Sequence, residues 1–158
     1  MQPSPGPTQN QIEIRVATLA DVPQLSDLLT LLFNQEADFT PNVENQTRGL
    51  ELIIEKPDVG RIYCATVTGI IAGMVSILYT VSTAEGGRAA WLEDMVVSPE
   101  LRGSGIGEQL LQTALKESRA AGCKRITLLT DAVNERAIQF YARTGFKPSA
   151  MIPLRLKL

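Results

Sequence analysis

The chain has 158 residues, 44% of them hydrophobic and 20% charged, with a formal net charge of −2 and no histidine. That size and composition describe one soluble globular domain with its own core. The charge argues against a general nucleic-acid binder, and no apolar run reaches membrane-spanning length. The missing imidazole excludes Ser-His-Asp and Cys-His hydrolases and any zinc site built on histidine.

The first ten residues, rich in proline, have no basic cluster and no apolar stretch, so they read as a short disordered lead rather than a secretory signal. Residues 11–158 are expected to form the single domain. Ile12–Val16 alternates and predicts a first strand. Thr18-Leu19-Ala20-Asp21 resembles a capping box and opens an amphipathic helix with apolar positions at Val22, Leu25, Leu28, Leu29 and Leu32. Phe39-Thr40-Pro41-Asn42 breaks it, and a second helix runs to about Lys56, ended by Pro57 and Gly60.

Arg61–Val67 and Ile70–Thr80, joined at Thr68-Gly69, predict a hairpin. A flexible turn at 84–88 leads into a strand over Ala89–Val97. From Gly105 the period changes: Ile106, Leu110, Leu111, Ala114, Leu115 and Ser118 share one helical face, and Gly122 supplies a C-cap. Lys124–Thr130 reads as a buried strand, Asn134–Arg143 as a short helix, and the segment from Thr144 as closing strands ending at Leu158. The order is β-α-α-β-β-β-α-β-α-β, one mixed α/β domain whose 89–130 unit is a crossover between parallel strands. Cys64 and Cys123 lie in or beside strand-like segments and are expected to be reduced and packed, as in a cytoplasmic protein.

Chemistry concentrates between Leu92 and Glu108. An apolar strand ends at Ser98-Pro99, and Arg102-Gly103-Ser104-Gly105-Ile106-Gly107 turns straight into a helix. Glycines permit positive φ and close approach, so backbone N–H groups and a helix N-terminus converge on one concavity suited to phosphate. The turn lacks the Gly-Lys-Ser/Thr of a Walker A loop. It also lacks the Gly-x-Gly-x-x-Gly spacing of a dinucleotide fold.

This segment resembles motif A of the GNAT acetyltransferase superfamily, Arg/Gln-x-x-Gly-x-Gly/Ala. Asn134-Glu135-Arg136-Ala137-Ile138-Gln139-Phe140-Tyr141-Ala142-Arg143-Thr144-Gly145-Phe146 looks like its motif B. The resemblance extends from about Ile12 to the C-terminus. It implies the acyl-CoA N-acyltransferase fold: a mostly antiparallel mixed sheet with one splayed parallel pair, flanked by helices. It also implies acetyl-CoA as co-substrate and no metal. The pyrophosphate would sit on backbone N–H groups from Gly103 to Glu108, with Arg102, Ser104, Gly105, Ile106 and Gly107 in the cradle. The pantetheine arm would pair with Met95, Val96 and Val97, a backbone N–H near Val96 would polarise the thioester, and Asn134 would approach from the facing side. As a bare residue, Asn134 is also a helix N-cap.

By the same resemblance Tyr141 is the general acid that protonates the departing thiolate, although a helical Tyr beside Phe140 would otherwise be read as packing. Glu93 is the chosen proton acceptor, with strand alternation setting it opposite Leu92 and Asp94; a substrate-orienting or structural carboxylate is the competing role. Gln35, Glu36, Asp38 and Phe39 lie where the family's acceptor wall lies, and Trp91 either lines that channel or packs. The expected reaction is transfer of acetyl to a primary amine of a small molecule, by direct attack in a ternary complex. A non-catalytic acyl-CoA sensor and a protein acetyltransferase stay open as alternatives. The apolar Met151–Leu158 segment allows a homodimer; neither nucleic acid nor membrane is expected as a partner.

Overall fold

The computed structural model describes residues 11–158; the expected N-terminal lead lies outside them. Its elements in chain order are β1 (Ile12–Val16), α1 (Val22–Phe33), α2 (Val43–Glu55), β2 (Gly60–Val67), β3 (Ile70–Ser82), β4 (Gly87–Val97), α3 (Ile106–Ala120), β5 (Ile126–Leu128) and α4 (Glu135–Ala142). The five strands form one mixed sheet in the order β1-β2-β3-β4-β5. The first three pairings are antiparallel, and β4–β5 is parallel. The parallel step needs a crossover, which α3 supplies.

Each local signal has a visible cause. Asp21 is buried and accepts from the Thr18 N–H at 2.7 Å, the short-armed capping arrangement that starts the first helical turn. Arg15 grips the same carboxylate with two bonds of 2.7 and 2.8 Å, holding it well below the usual carboxylate range. Thr68 and Gly69 both take positive φ, as a two-residue hairpin turn demands.

The sheet separates two cores. On one face α1 and α2 pack Val22, Leu25, Leu28, Leu29 and Leu50 against Ile62, Cys64, Met74 and Val96. On the other, α3 buries Ile106, Leu110, Leu111, Ala114 and Leu115 against Tyr63, Val75, Ile77 and Leu92. The predicted apolar face of α3 is buried throughout, Ser118 included. Both cysteines are free; Cys64 is buried and Cys123 partly so.

Two expectations about strands need correction. The strand expected over 124–130 is three residues long and half-buried. Its pairing with β4 stops at Leu92↔Leu128, while β4 runs on to Val97. The closing strands expected after Phe146 do not form: residues 147–158 contain no strand. Pro148 and Pro153 interrupt that run, each removing a ladder donor. Beyond Pro153, Leu154, Leu156 and Leu158 alternate with Arg155 and Lys157, and all are exposed.

Candidate functional site

The premature end of β5 leaves one side of β4 open from Glu93 to Val97. Ser98 donates its N–H to Ala72 of β3 at 2.8 Å, and the Val96 carbonyl also faces β3, against Gly73. Period two therefore turns the peptide groups of Met95 and Val97 toward the open side. The Val97 carbonyl accepts there from the Arg102 guanidinium at 3.2 Å.

The glycine-rich turn sits at the end of this strand. Gly103 and Gly105 adopt φ of +81° and +87°, and a Cβ at either would meet nothing within 4 Å. Backbone conformation, not crowding, calls for glycine at both. Gly105 is the N-cap of α3, in left-handed conformation and without a side chain to cap the helix. The first-turn N–H groups, at Ile106, Gly107 and Glu108, have no acceptors inside their own helix. Ser104 is held in the turn by donating its hydroxyl to the Leu101 carbonyl, and Ile106 anchors the helix start in the core. A Cβ at Gly107 would stand 3.7–3.8 Å from Phe140, Val97 and Met95, so α4 lies close to the turn.

On α4, Asn134 acts as the N-cap, accepting from the Ala137 N–H at 3.1 Å. Tyr141 packs edge-on between Phe140 and Phe146, with ring centroids 5.1 and 5.6 Å away. Burial, with the charge of Glu36 adding to it, pushes its phenol up to about 12. That influence is hidden in the sequence, since Glu36 lies 105 positions earlier.

Asp94 corrects the expectation from alternation. Leu92 faces the α3 core, and so does Met95, three residues later. A bulge sets Glu93 and Asp94 together opposite Ser76 and reverses the parity of the strand. Leu92 and Asp94 thus lie on opposite faces. The Asp94 carboxylate accepts from the Ser76 hydroxyl at 3.0 Å, and the same hydroxyl oxygen accepts from the Asp94 N–H at 3.0 Å. Burial pushes this carboxyl up to about 6; the Ser76 bond opposes the shift, and the charge of Glu93 adds to it. Glu93 itself is exposed. Sequence reasoning missed Asp94 because an inserted strand residue leaves no composition signal; two adjacent carboxylates opposite a serine are the nearest cue.

Asp94 forms part of the wall of a cleft of about 290 Å³ between α1 and α2, together with Leu29, Phe33, Phe39, Leu50 and Ile53. Gln46, buried between the helices, pins them in place. Its amide donates to the Ser26 carbonyl and hydroxyl and to the Thr30 hydroxyl, and its oxygen accepts from the Asn42 N–H. Partial burial raises the Glu36 carboxyl, as do the charges of Asp94, Asp38 and Glu93. Arg155 pairs with Asp38 at 2.9 Å and lies over the Phe39 ring, so the C-terminal segment reaches the same mouth. Four carboxylates and an aromatic pair therefore meet beside the open end of β4. Trp91 is not in the cleft wall; it lies on β4 opposite Leu78, 36% exposed.

Comparisons with known proteins bear on the family and the fold. A sequence model described as "Acetyltransferase (GNAT) family" matches residues 25–146. The aminoalkylphosphonate N-acetyltransferase of Salmonella typhimurium is 30% identical over 137 residues, covering 87% of this chain and 86% of that protein. The glucosamine 6-phosphate N-acetyltransferase of Trypanosoma brucei brucei is 34% identical over 90 residues, 56% of this chain; the match spans 59% of that enzyme, under two thirds of its length. Among solved structures, an integron cassette protein from a salt-marsh metagenome superposes with a TM-score of 0.80 at 28% identity, covering 92% of this chain and 90% of that one.

Proposed function

The chain belongs to the GNAT acetyltransferase family, and on that premise we propose that it moves an acetyl group from acetyl-CoA to a primary amine. Residues 11–158 act as one domain, and the amine attacks directly within a ternary complex. The observation that carries this reading is the edge of β4 left open beyond Leu92, ending at a turn that leads into a helix whose first amides have no acceptor in their own helix.

The pyrophosphate rests on the amides of Gly103 to Glu108, with Arg102 beside it and Asn134 facing it across the cleft. The amide arm of pantetheine continues the sheet along Met95–Val97, taking the place that β5 vacates. Because the Val96 peptide is turned toward β3, the polarising N–H belongs to Met95 or Val97. The amine attacks in its neutral form. Bond formation makes its nitrogen cationic and acidic, and a carboxylate accepts the proton directly or through water. Asp94 and Glu93 are adjacent candidates. Asp94 is favoured because burial tunes it closer to neutrality.

As the thioester C–S bond breaks, Tyr141 donates its proton to the thiolate and recovers one from solvent. Its raised value keeps the phenol protonated through the working range. A thiolate leaving in the same buried space is made more basic too, which helps the transfer. Met151–Leu158, exposed, apolar in large part and without a partner strand, supports a homodimer paired through this segment.

Calorimetry should detect acetyl-CoA binding, and thiol release should follow addition of an amine. Absence of binding at high micromolar concentrations of both would reject the reading. Sedimentation equilibrium of the full chain tests the dimer, and a monomer across the micromolar range would dismiss it.

A further inference from the structure

The cleft between α1 and α2 has a composition that the transfer reaction alone does not require. Leu29, Phe33, Phe39, Leu50 and Ile53 make it mainly apolar, Thr40, Asn42, Asn45 and Gln46 are its uncharged polar members, and among the described residues Asp94 is the one charged wall residue, with no lysine or arginine in the lining. Gln46 spends its amide on the neighbouring helix, so it offers little to a polar guest. Glu93 adds negative potential at Asp94, and Asp94, Asp38 and Glu93 add it at Glu36. Arg155, the cation at the mouth, is already paired with Asp38. An amine carrying a phosphate or phosphonate would bring its anion into this field with no counter-charge in the wall.

Gly49 adds an independent observation. It lies in the interior of α2, where glycine lowers helix stability by roughly 1 kcal/mol relative to alanine. A Cβ there would meet nothing within 4 Å, and φ is not positive, so neither crowding nor backbone conformation calls for glycine. Its position is on the cleft wall. What the missing side chain preserves is open space. A dry apolar cavity on the order of 150 Å³ accommodates benzene. About 290 Å³ therefore has room for a ring or branched chain together with a short arm.

Resting on the acetyl-transfer reading above, we infer that the acceptor is a monoamine with an uncharged, apolar body, the body seated between α1 and α2 and the amine directed to Asp94. The mouth aromatics, Phe33 and Phe39 with centroids 5.5 Å apart, flank the path of the ring or chain.

The test compares 2-phenylethylamine, aminomethylphosphonate and glucosamine 6-phosphate by thiol release, in wild type and in Gly49→Leu. The full chain is first checked for acetyl-CoA binding by calorimetry. Calorimetric titration of 2-phenylethylamine into the CoA-saturated protein gives a second, activity-independent readout. The apolar amine should exceed both anionic amines in kcat/KM by about tenfold or more. Gly49→Leu should raise its KM by a similar factor with acetyl-CoA affinity unchanged. Leucine is a better helix former than glycine, so this variant folds. Preference for an anionic amine, no binding of 2-phenylethylamine to the CoA complex, or an unaltered KM in Gly49→Leu would each overturn the inference and leave acetyl transfer standing. Failure to bind acetyl-CoA would remove the transfer reading itself.

Discussion

The two sides of the open end of β4 are built from different materials. The proposed donor side is mainly backbone: the Met95 and Val97 peptide groups, two left-handed glycines and the first turn of α3. The acceptor side is made of side chains converging from α1, α2, their connection, a strand bulge and residue 155. Backbone recognition is set by local conformation and suits an invariant cofactor. Side-chain recognition depends on tertiary placement and can change with each acceptor. The contrast says that donor-side substitutions should alter acetyl-CoA kinetics, and acceptor-side ones amine kinetics.

Tyr141→Phe should break the chemical step that joins the two sides. It keeps the ring packing against Phe140 and Phe146 and removes only the proton, so kcat should fall by about 10³-fold. Acetyl-CoA affinity, read by calorimetry, should hold; an unchanged kcat would deny the phenol its role as acid.

Asp94→Asn should act next most strongly, lowering kcat/KM for the amine by about 10²-fold. Wild-type kcat/KM should rise with pH through about 6 as Asp94 ionises, and this limb should vanish in the variant. Stability provides a second signature with a definite sign. The Asp94 value is raised on folding, so the stability contributed by its protonated form is complete below about 4 and is lost as pH rises through about 6. Asp94→Asn should therefore match wild type near pH 4 and exceed it by about 1–2 kcal/mol above pH 7, as measured by denaturant titration. Glu93→Gln should keep both profiles and only move them to slightly lower pH, because the Glu93 charge adds to the Asp94 shift. If it instead abolishes the pH limb, Glu93 is the base.

Gly105→Ala sharpens the donor half. Forcing a Cβ onto φ of +87° should cost about 1–2 kcal/mol and raise the acetyl-CoA KM by about tenfold, with the amine KM little changed. Equal acetyl-CoA affinity in the variant would mean that the turn is not the anion cradle. Arg155→Ala should have the smallest effect. The Asp38 pair is exposed, so stability should move by well under 1 kcal/mol. The apolar amine's KM should shift by only about two- to threefold, and a larger shift would make the C-terminal segment part of the acceptor wall.

Much of the donor side and its supporting elements is legible in the amino-acid sequence. The apolar face of α3, the Thr18–Asp21 start, the Thr68-Gly69 hairpin and the Asn134 cap are local: each is decided within a few residues by periodicity, φ or a side chain reaching its own backbone. The glycine turn is legible for the same reason. The missing closing strand is not, because the apolar residues on either side of Pro153 signal strand propensity and cannot supply a partner. The length of β5 is not legible either, since pairing ends where two strands diverge in space.

The acceptor side lies almost wholly beyond the sequence. Alternation assigns Asp94 to the face of Leu92, and one bulge opposite Ser76 moves it to the other. Glu36 and Tyr141 are separated by most of the chain, yet the phenol feels that carboxylate. By itself, then, the sequence determined the turn proposed to hold the donor: a strand, two glycines and a helix start set its shape by local geometry. Only the tertiary structure decided the acceptor side, because burial, parity and the meeting of distant carboxylates are properties of packing.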